Sequence, residues 1–168
     1  MPRSTSILLT LFFSASIFGQ LTLDKNFNAG VTEGYAEAYV SAVQPDGKIL
    51  IGGQFTADGR VNLVRVNPDG SPDPTFVQLS PLGLVTEIKT LPDGKVLIGG
   101  TMPRGITRLN PDGSADPTFN PGGSGATGSV AQITIQPDGK ILVSGQFQSY
   151  NGVATYSGLR LNADGTPD

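Results

Sequence analysis

Three octets along the chain share one hydrophobic signature: KILIGGQF at 48–55, KVLIGGTM at 95–102 and KILVSGQF at 140–147. Each sets three consecutive apolar residues behind a lysine and then relaxes into small and polar positions. A half-buried strand would alternate every second residue, so an unbroken apolar run predicts a strand covered on both faces. A weaker stretch precedes each octet, clearest as Val130, Ile133 and Ile135 in VAQITIQ and weakest in AYVSAVQ. Behind each octet, after Asp58-Gly59, Arg104-Gly105 or Asn151-Gly152, comes LVRVN, ITRLN or GLRLN. Asp-Pro-Thr-Phe at 73–76 and 116–119 predicts a short last strand. The units therefore read as four short antiparallel strands separated by turns.

The turns recur as faithfully as the strands. Pro-Asp-Gly-Lys begins at Pro45, Pro92 and Pro137; Asn-Pro-Asp-Gly-Ser begins at Asn67 and Asn110, with Asn-Ala-Asp-Gly-Thr at Asn162. Asp-x-x-Phe stands at 24–27, 73–76 and 116–119, and the next aspartate in register is Asp168, giving spacings of 49, 43 and 52 residues. Proline presets φ at the second position of a turn, aspartate bonds back to the backbone, and glycine accepts positive φ, so each tetrapeptide predicts a hairpin corner with a bulge. Asp46, Asp93 and Asp138 are accordingly corner residues, and Lys48, Lys95 and Lys140 restart the strand. Four-stranded units at this period have the length and content of a β-propeller blade. A solenoid of stacked β-arches is the competing architecture, but its repeats are usually about half as long. The fold class is all-β, with about three blades at residues 24–72, 73–115 and 116–168.

QPDGKILIGGQF, followed by an Asp-Gly or Asn-Gly turn and then by RLNPDGSADPTF, resembles the delta-60 repeat, a bacterial β-propeller repeat whose function is undefined. The resemblance runs over residues 21–168 and rests on three motifs recurring in one order. It implies an exported bacterial protein of the kind that carries many such repeats, and no catalytic residue, cofactor or metal ligand to assign. The chain departs from the pattern in number, since a closed propeller needs about four to eight blades. An incomplete propeller is expected, whose uncovered faces take further blades or self-associate.

The N-terminus follows a different logic. Arg3 precedes twelve apolar-rich residues from Ile7 to Phe18 that end at Gly19, which predicts a signal peptide over 1–19 and a repeat region over 20–168. Twelve residues fall short of the roughly 20 that a membrane-crossing helix needs, so no membrane insertion is expected after cleavage. Secretion follows, to the extracellular space or cell surface, with the periplasm as the other compartment. The chain has no cysteine, so neither disulfides nor an acylated N-terminal cysteine can operate. A net charge of -3 provides no basic footprint for nucleic acid.

Chemistry is sparsely provided. Without histidine or cysteine, a Ser-His-Asp triad, a cysteine nucleophile and a typical zinc site are all unavailable. Glu33, Glu37 and Glu87 are the only glutamates for a carboxylate pair. Asn67, Asp69, Ser71 and Asp73 alternate oxygen side chains as calcium loops do, but the glutamate of an EF-hand is missing. Asp73 and Asp116 are expected instead to cap their own turns and pair with Arg65, Arg108 and Arg160, which recur in one register. Gly52-Gly53 and Gly99-Gly100 lack the helix start of a phosphate loop and predict a bulge or the close approach of a neighbouring blade. Phe27, Phe55, Phe76, Phe119 and Phe147 predict packing between blades.

No catalytic, cofactor-binding or metal residue is therefore assigned. Specificity would reside in the segments that differ between repeats, 30–38, 78–84, 120–129 and 149–157, in or near which Tyr35, Tyr39, Tyr150 and Tyr156 fall. The function expected is a non-enzymatic scaffold or binding module for a protein or glycan, as in surface attachment. The alternative is part of a carbohydrate-active propeller enzyme, a glycosidase or lyase.

Overall fold

A computed structural model of the chain describes residues 37–57, 59–79 and 83–168. The predicted signal peptide, Asp24, Phe27, Glu33, Tyr35 and Asp58 lie outside the described residues. Three antiparallel meanders follow one another: β1 (Glu37–Val43), β2 (Ile49–Ala57) and β3 (Arg60–Val66) form sheet one. β4 (Val85–Thr90), β5 (Val96–Gly100) and β6 (Ile106–Leu109) form sheet two. β7 (Ser129–Ile135) and β8 (Ile141–Gln146) lead through a small hairpin, β9 (Ser149–Tyr150) and β10 (Val153–Ala154), to β11 (Gly158–Leu161), which completes sheet three in the order β11-β8-β7. The described residues contain no helix.

Register decides what each sheet face offers. Cross-strand partners share a face, so the rows Ala42–Leu50–Arg65, Lys89–Leu97–Arg108 and Thr134–Leu142–Arg160 are equivalent, all on the face turned toward the next sheet. Leu50 and Leu63 of sheet one pack against Val85, Ile88, Val96, Ile98 and Leu109 of sheet two. Leu97 and Ile106, on the opposite face of sheet two, pack against Val130, Ile133, Ile141, Val143 and Leu161 of sheet three. Sheet two is thus buried on both faces, and its run Val96, Leu97, Ile98 is fully inaccessible, as the unbroken apolar pattern requires. Sheet three differs: Leu142, equivalent to the inaccessible Leu50 and Leu97, is 41% exposed because nothing among the described residues covers its face. Among the described residues the architecture is an all-β stack of three propeller blades, an incomplete ring.

The fourth strand expected of each blade is a turn instead. Val66 and Pro72, Leu109 and Ala115, and Leu161 and Pro167 each make one isolated bridge, and pairing then stops. Pro74 and Pro117 have no N–H to donate, while the Asp73 carboxylate accepts the Thr75 N–H at 2.9 Å and hydroxyl at 2.6 Å. Asp116 holds Thr118 in the same way, at 2.9 and 2.7 Å. A side chain that bonds its own backbone two residues ahead closes a turn and competes with the ladder. Among the described residues the main sheet of each blade therefore has three strands.

The paired glycines serve two purposes. A Cβ on Gly53, Gly100 or Gly145 would lie 2.0, 1.8 or 2.2 Å from a carbonyl oxygen at the entry to the first strand (Glu37, Leu84, Ser129), next to the bulge in that strand. Gly52 and Gly99 face the next sheet instead: a Cβ there would meet Val85 Cγ1 at 2.6 Å and Ile133 Cδ1 at 3.1 Å. Both the bulge and the close approach of a neighbouring blade are realised, at adjacent positions.

Candidate functional site

Each Pro-Asp-Gly-Lys corner is a self-contained turn. Asp46, Asp93 and Asp138 accept the backbone N–H of Lys48, Lys95 and Lys140 at 3.1 Å, and the intervening glycines have φ of 83°, 82° and 84°. Gly47 N–H donates to Gln44 O at 2.9 Å, closing the corner. Their carboxylates are occupied by turn geometry.

The densest polar constellation lies one layer deeper and recurs three times. Arg65 Nε donates to Asp73 Oδ2 at 2.7 Å, and Lys48 Nζ donates to the same oxygen at 2.9 Å. Arg108 and Lys95 meet Asp116 Oδ2 at 2.7 and 2.8 Å. Arg160 Nε donates to Asp168 Oδ2 at 2.6 Å and Lys140 Nζ to Asp168 Oδ1 at 2.6 Å. The arginines project from the third strand of each blade, the lysines from just before the second, and Asp73 and Asp116 from the Asp-Pro-Thr-Phe turns, with Asp168 in the equivalent register. Arg65 also lies over the Phe76 ring, 4.6 Å from its centroid, and Arg108 over Phe119 at 4.9 Å.

These nodes also fasten one blade to the next. Arg65 Nη1 donates to the Pro111 carbonyl, and Arg108 Nη1 to the Ala163 carbonyl at 2.7 Å, each in the Asn-x-Asp-Gly turn of the following blade. Val77 N–H donates to Asp112 O and Asn120 N–H to Asp164 O, both at 2.6 Å. Phe76 and Phe119 lie against Gly113 and Gly165, where a Cβ would approach the rings to 2.7 Å. Burial opposes ionisation of Asp73 and Asp116, but the bonds from Lys48, Thr75 and Arg65, and from Lys95, Thr118 and Arg108, outweigh it. Both carboxyls are held well below the usual carboxylate range, which makes them poor proton donors at neutral pH.

The alternating oxygens at 67–73 do not converge on a point. Asp69 Oδ1 accepts the Ser71 N–H at 2.9 Å and its hydroxyl at 2.6 Å, Asn67 directs its amide Nδ2 at Ser71 Oγ at 3.0 Å, and Asp73 turns inward onto Arg65. The bonds from Ser71 hold the Asp69 carboxyl below its ordinary value. Phe76 and Phe119 pack between blades as expected; Phe147 joins the cluster between sheets two and three, and Phe55 a smaller cluster with Ile51, Val64 and Val66. Tyr150 is an anchor: it is buried, its hydroxyl donates to Gly165 O at 2.8 Å, and burial pushes its phenol up to about 12. Tyr39 donates to Glu37 at 2.6 Å near the surface, and Tyr156 is 80% exposed. Glu87 pairs with Lys89 at 2.6 Å on β4.

Three partners were not legible in the sequence. The lysines of the corners reach the aspartates 25, 21 and 28 residues ahead, and only their equal recurrence beside Arg and Asp could have signalled it. Gln44 links Arg65, which it accepts at 3.3 Å, to the Gly94 carbonyl of the next blade at 3.4 Å. Asn120 and Asn151 exchange amide hydrogen bonds at 3.0 and 2.7 Å, both with positive φ, and pin the 120–129 segment to the β9–β10 hairpin.

Among solved structures, the chain is similar to a crystal structure of a protein of unknown function from Bacteroides caccae, at 14% identity and a TM-score of 0.46, over 76% of this chain and 46% of that one. This chain therefore spans less than half the length of that protein. No curated protein matches it. A family described as a domain of unknown function, DUF5122 beta-propeller, matches at residues 44–76, 91–119 and 136–168. Two of the matched segments end at Phe76 and Phe119, and all three contain the lysine, arginine and aspartate of a node, whereas the first strands and the 120–129 segment lie outside them. These segments make up more than half of the chain, which belongs to the DUF5122 beta-propeller family.

Proposed function

We propose that this chain is a secreted repeat protein of the delta-60 type that works as a non-enzymatic scaffold or binding module, holding variable loops in fixed positions for a protein or glycan partner. The observation that carries this reading is the division of labour between repeated and unrepeated residues. The recurring Lys, Arg, Asp and Phe side chains bond one another and the next blade. The large side chains left exposed include Val77, Val153 and Tyr156, in or beside segments that differ between repeats. A groove of about 430 Å³ runs between the Thr101–Arg104 turn and Ala126–Ser129, the latter in a segment that differs between repeats. Rigid repeats with variable exposed loops suit recognition better than chemistry.

The test is a glycan and surface-protein array probed with the full chain and with Tyr156→Ala. Binding that weakens in the variant while the unfolding midpoint stays constant supports the reading. Flat signal across the array removes it, and hydrolysis of chromogenic glycosides abolished by one carboxylate substitution replaces it with an enzyme. Secretion is checked by the N-terminus of the exported protein, expected at Gln20; retention in the cytoplasm overturns that part.

A further inference from the structure

Of three corresponding turns, Asp58-Gly59, Arg104-Gly105 and Asn151-Gly152, one carries a residue out of keeping with the others. Arg104 and Asn151 both adopt positive φ, 73° and 50°. Aspartate and asparagine visit this left-handed region readily, whereas arginine does so at a cost. A corner that needed only to turn is better served by either of the other two residues, so the arginine answers a demand outside the turn. The fold itself makes no such demand. Among the described residues no hydrogen bond or ion pair engages the Arg104 guanidinium, and the residue is exposed. Arg65 and Arg108, by contrast, are each committed to an aspartate and to the next blade.

The surroundings hold Arg104 in place. Its carbonyl accepts the Ile106 N–H at 2.8 Å and the Ala126 N–H at 2.9 Å, and a Cβ on Gly125 would come within 2.5 Å of Arg104 Cβ. The facing segment is fastened in turn: Thr127 N–H donates to Ser149 O at 3.0 Å, Asn151 N–H to Gly125 O at 2.9 Å, and Gly125 N–H to Asn151 Oδ1 at 2.8 Å. A segment that differs between repeats is thus fixed against both Arg104 and the β9–β10 hairpin. Between these two walls runs the groove of about 430 Å³, within the range of about 300–1,000 Å³ usual for ligand sites. Arg104 is the one charged residue lining it, beside hydroxyls such as Thr101 and Ser129 and apolar groups such as Met102 and Ala126.

We propose that this groove binds an acidic polysaccharide, with Arg104 pairing the carboxylate of one uronate residue. The inference rests on the reading of the chain as a binding module and names the class of its ligand. One guanidinium and no acidic residue line the groove, so its charge complements a single anion. A guanidinium fork matches one carboxylate through two parallel bonds, whereas phosphate is usually gathered by several cations or backbone N–H groups. Thr101 Oγ1 accepts the Leu84 N–H at 3.1 Å and keeps its own O–H to donate, and the Ser129 hydroxyl has no partner among the described residues. Both suit sugar hydroxyls. An acidic peptide is served less well, because Arg104 O, Ala126 N–H and Thr127 N–H are already paired and leave no edge for an added strand. The chain as a whole carries a net charge of -3, so the attraction of an anion is local to this groove.

Arg104→Asn separates a ligand's demand from the turn's own. Asparagine accepts positive φ and lacks the guanidinium, so the full-chain variant is expected to unfold at the same or a higher urea concentration while its affinity for oligogalacturonate or alginate oligomers, read by calorimetry, falls at least about tenfold. The methyl ester of oligogalacturonate, the same sugar without its charge, is expected to lose as much against the unaltered chain. Lys89→Gln, which removes a cation paired with Glu87 on β4, is expected to bind normally. The proposal is overturned if neither oligouronate binds, if Arg104→Asn or the methyl ester binds as well as its parent, or if polyglutamate or inorganic phosphate binds as tightly. A lower unfolding midpoint in Arg104→Asn also overturns it, since the arginine then serves the turn. Binding of a neutral glycan or a protein with no response to Arg104→Asn overturns this inference alone, whereas absence of binding to any glycan or protein overturns the binding-module reading with it.

Discussion

Asp73→Asn and Asp168→Asn make the same change in the same node at different depths. Asp73 is inaccessible, with 3% of its side chain exposed, and faces Arg65 at 5%; Asp168 is 20% exposed and faces Arg160 at 48%. Asparagine keeps the shape of aspartate and can still accept the Thr75 N–H, so what is lost is the charge. Arg65 is then left buried, with its guanidinium against Phe76 and the Pro111 carbonyl but no anion. Breaking a buried pair from one side costs about 3–5 kcal/mol, whereas an exposed pair contributes about 1 kcal/mol or less. For a chain of this size those costs translate to roughly 6–20 °C and at most about 4 °C in unfolding midpoint. Urea unfolding of the two variants beside the unaltered chain, with slopes compared to confirm a common unfolded state, measures both. If Asp168→Asn costs as much as Asp73→Asn, or if Asp73→Asn costs less than about 1 kcal/mol, burial does not set the strength of the node.

The same carboxylates fix the response to acid. Their folded pKa values lie below the unfolded value of about 3.9, so their contribution is complete above that value and is lost as pH falls through the folded range; the unfolding midpoint should decline below about pH 4, and less steeply in Asp73→Asn with Asp116→Asn. Gly100→Ala should destabilise by about 3 kcal/mol or more, because its Cβ would sit 1.8 Å from Leu84 O, and urea midpoints will show it. Ser144→Gly, on the uncovered face, should change the midpoint by less than about 0.5 kcal/mol. Tyr150→Phe removes the donor to Gly165 O and should cost about 1–3 kcal/mol in the same assay.

Periodicity alone located the blades, because a strand between two neighbours must be apolar on both sides and its corners must carry residues that tolerate the turn. Val96, Leu97 and Ile98, and the glycines at 47, 94 and 139, are local necessities and therefore visible in the residues. The pairing of Asp73 and Asp116 with Arg65 and Arg108 was also legible, since the residues recur together. Asp-Pro-Thr-Phe was misread as a strand because its last residue is apolar and its period fits; the competing bond from aspartate to threonine decides it.

What the sequence determined by itself is the unit: its corners, its strand order and the side chains that must be buried. Tertiary structure alone decided where each unit stops and what it holds, since the lysine–aspartate contacts, the Gln44 bridge and the arginine-to-carbonyl fastenings join residues 21 to 55 positions apart. It also decided that Leu142, identical to Leu50 and Leu97 and set in a nearly identical octet, stays exposed. A residue's own neighbours in sequence settle its conformation and its face, but burial depends on whether another sheet arrives to cover it.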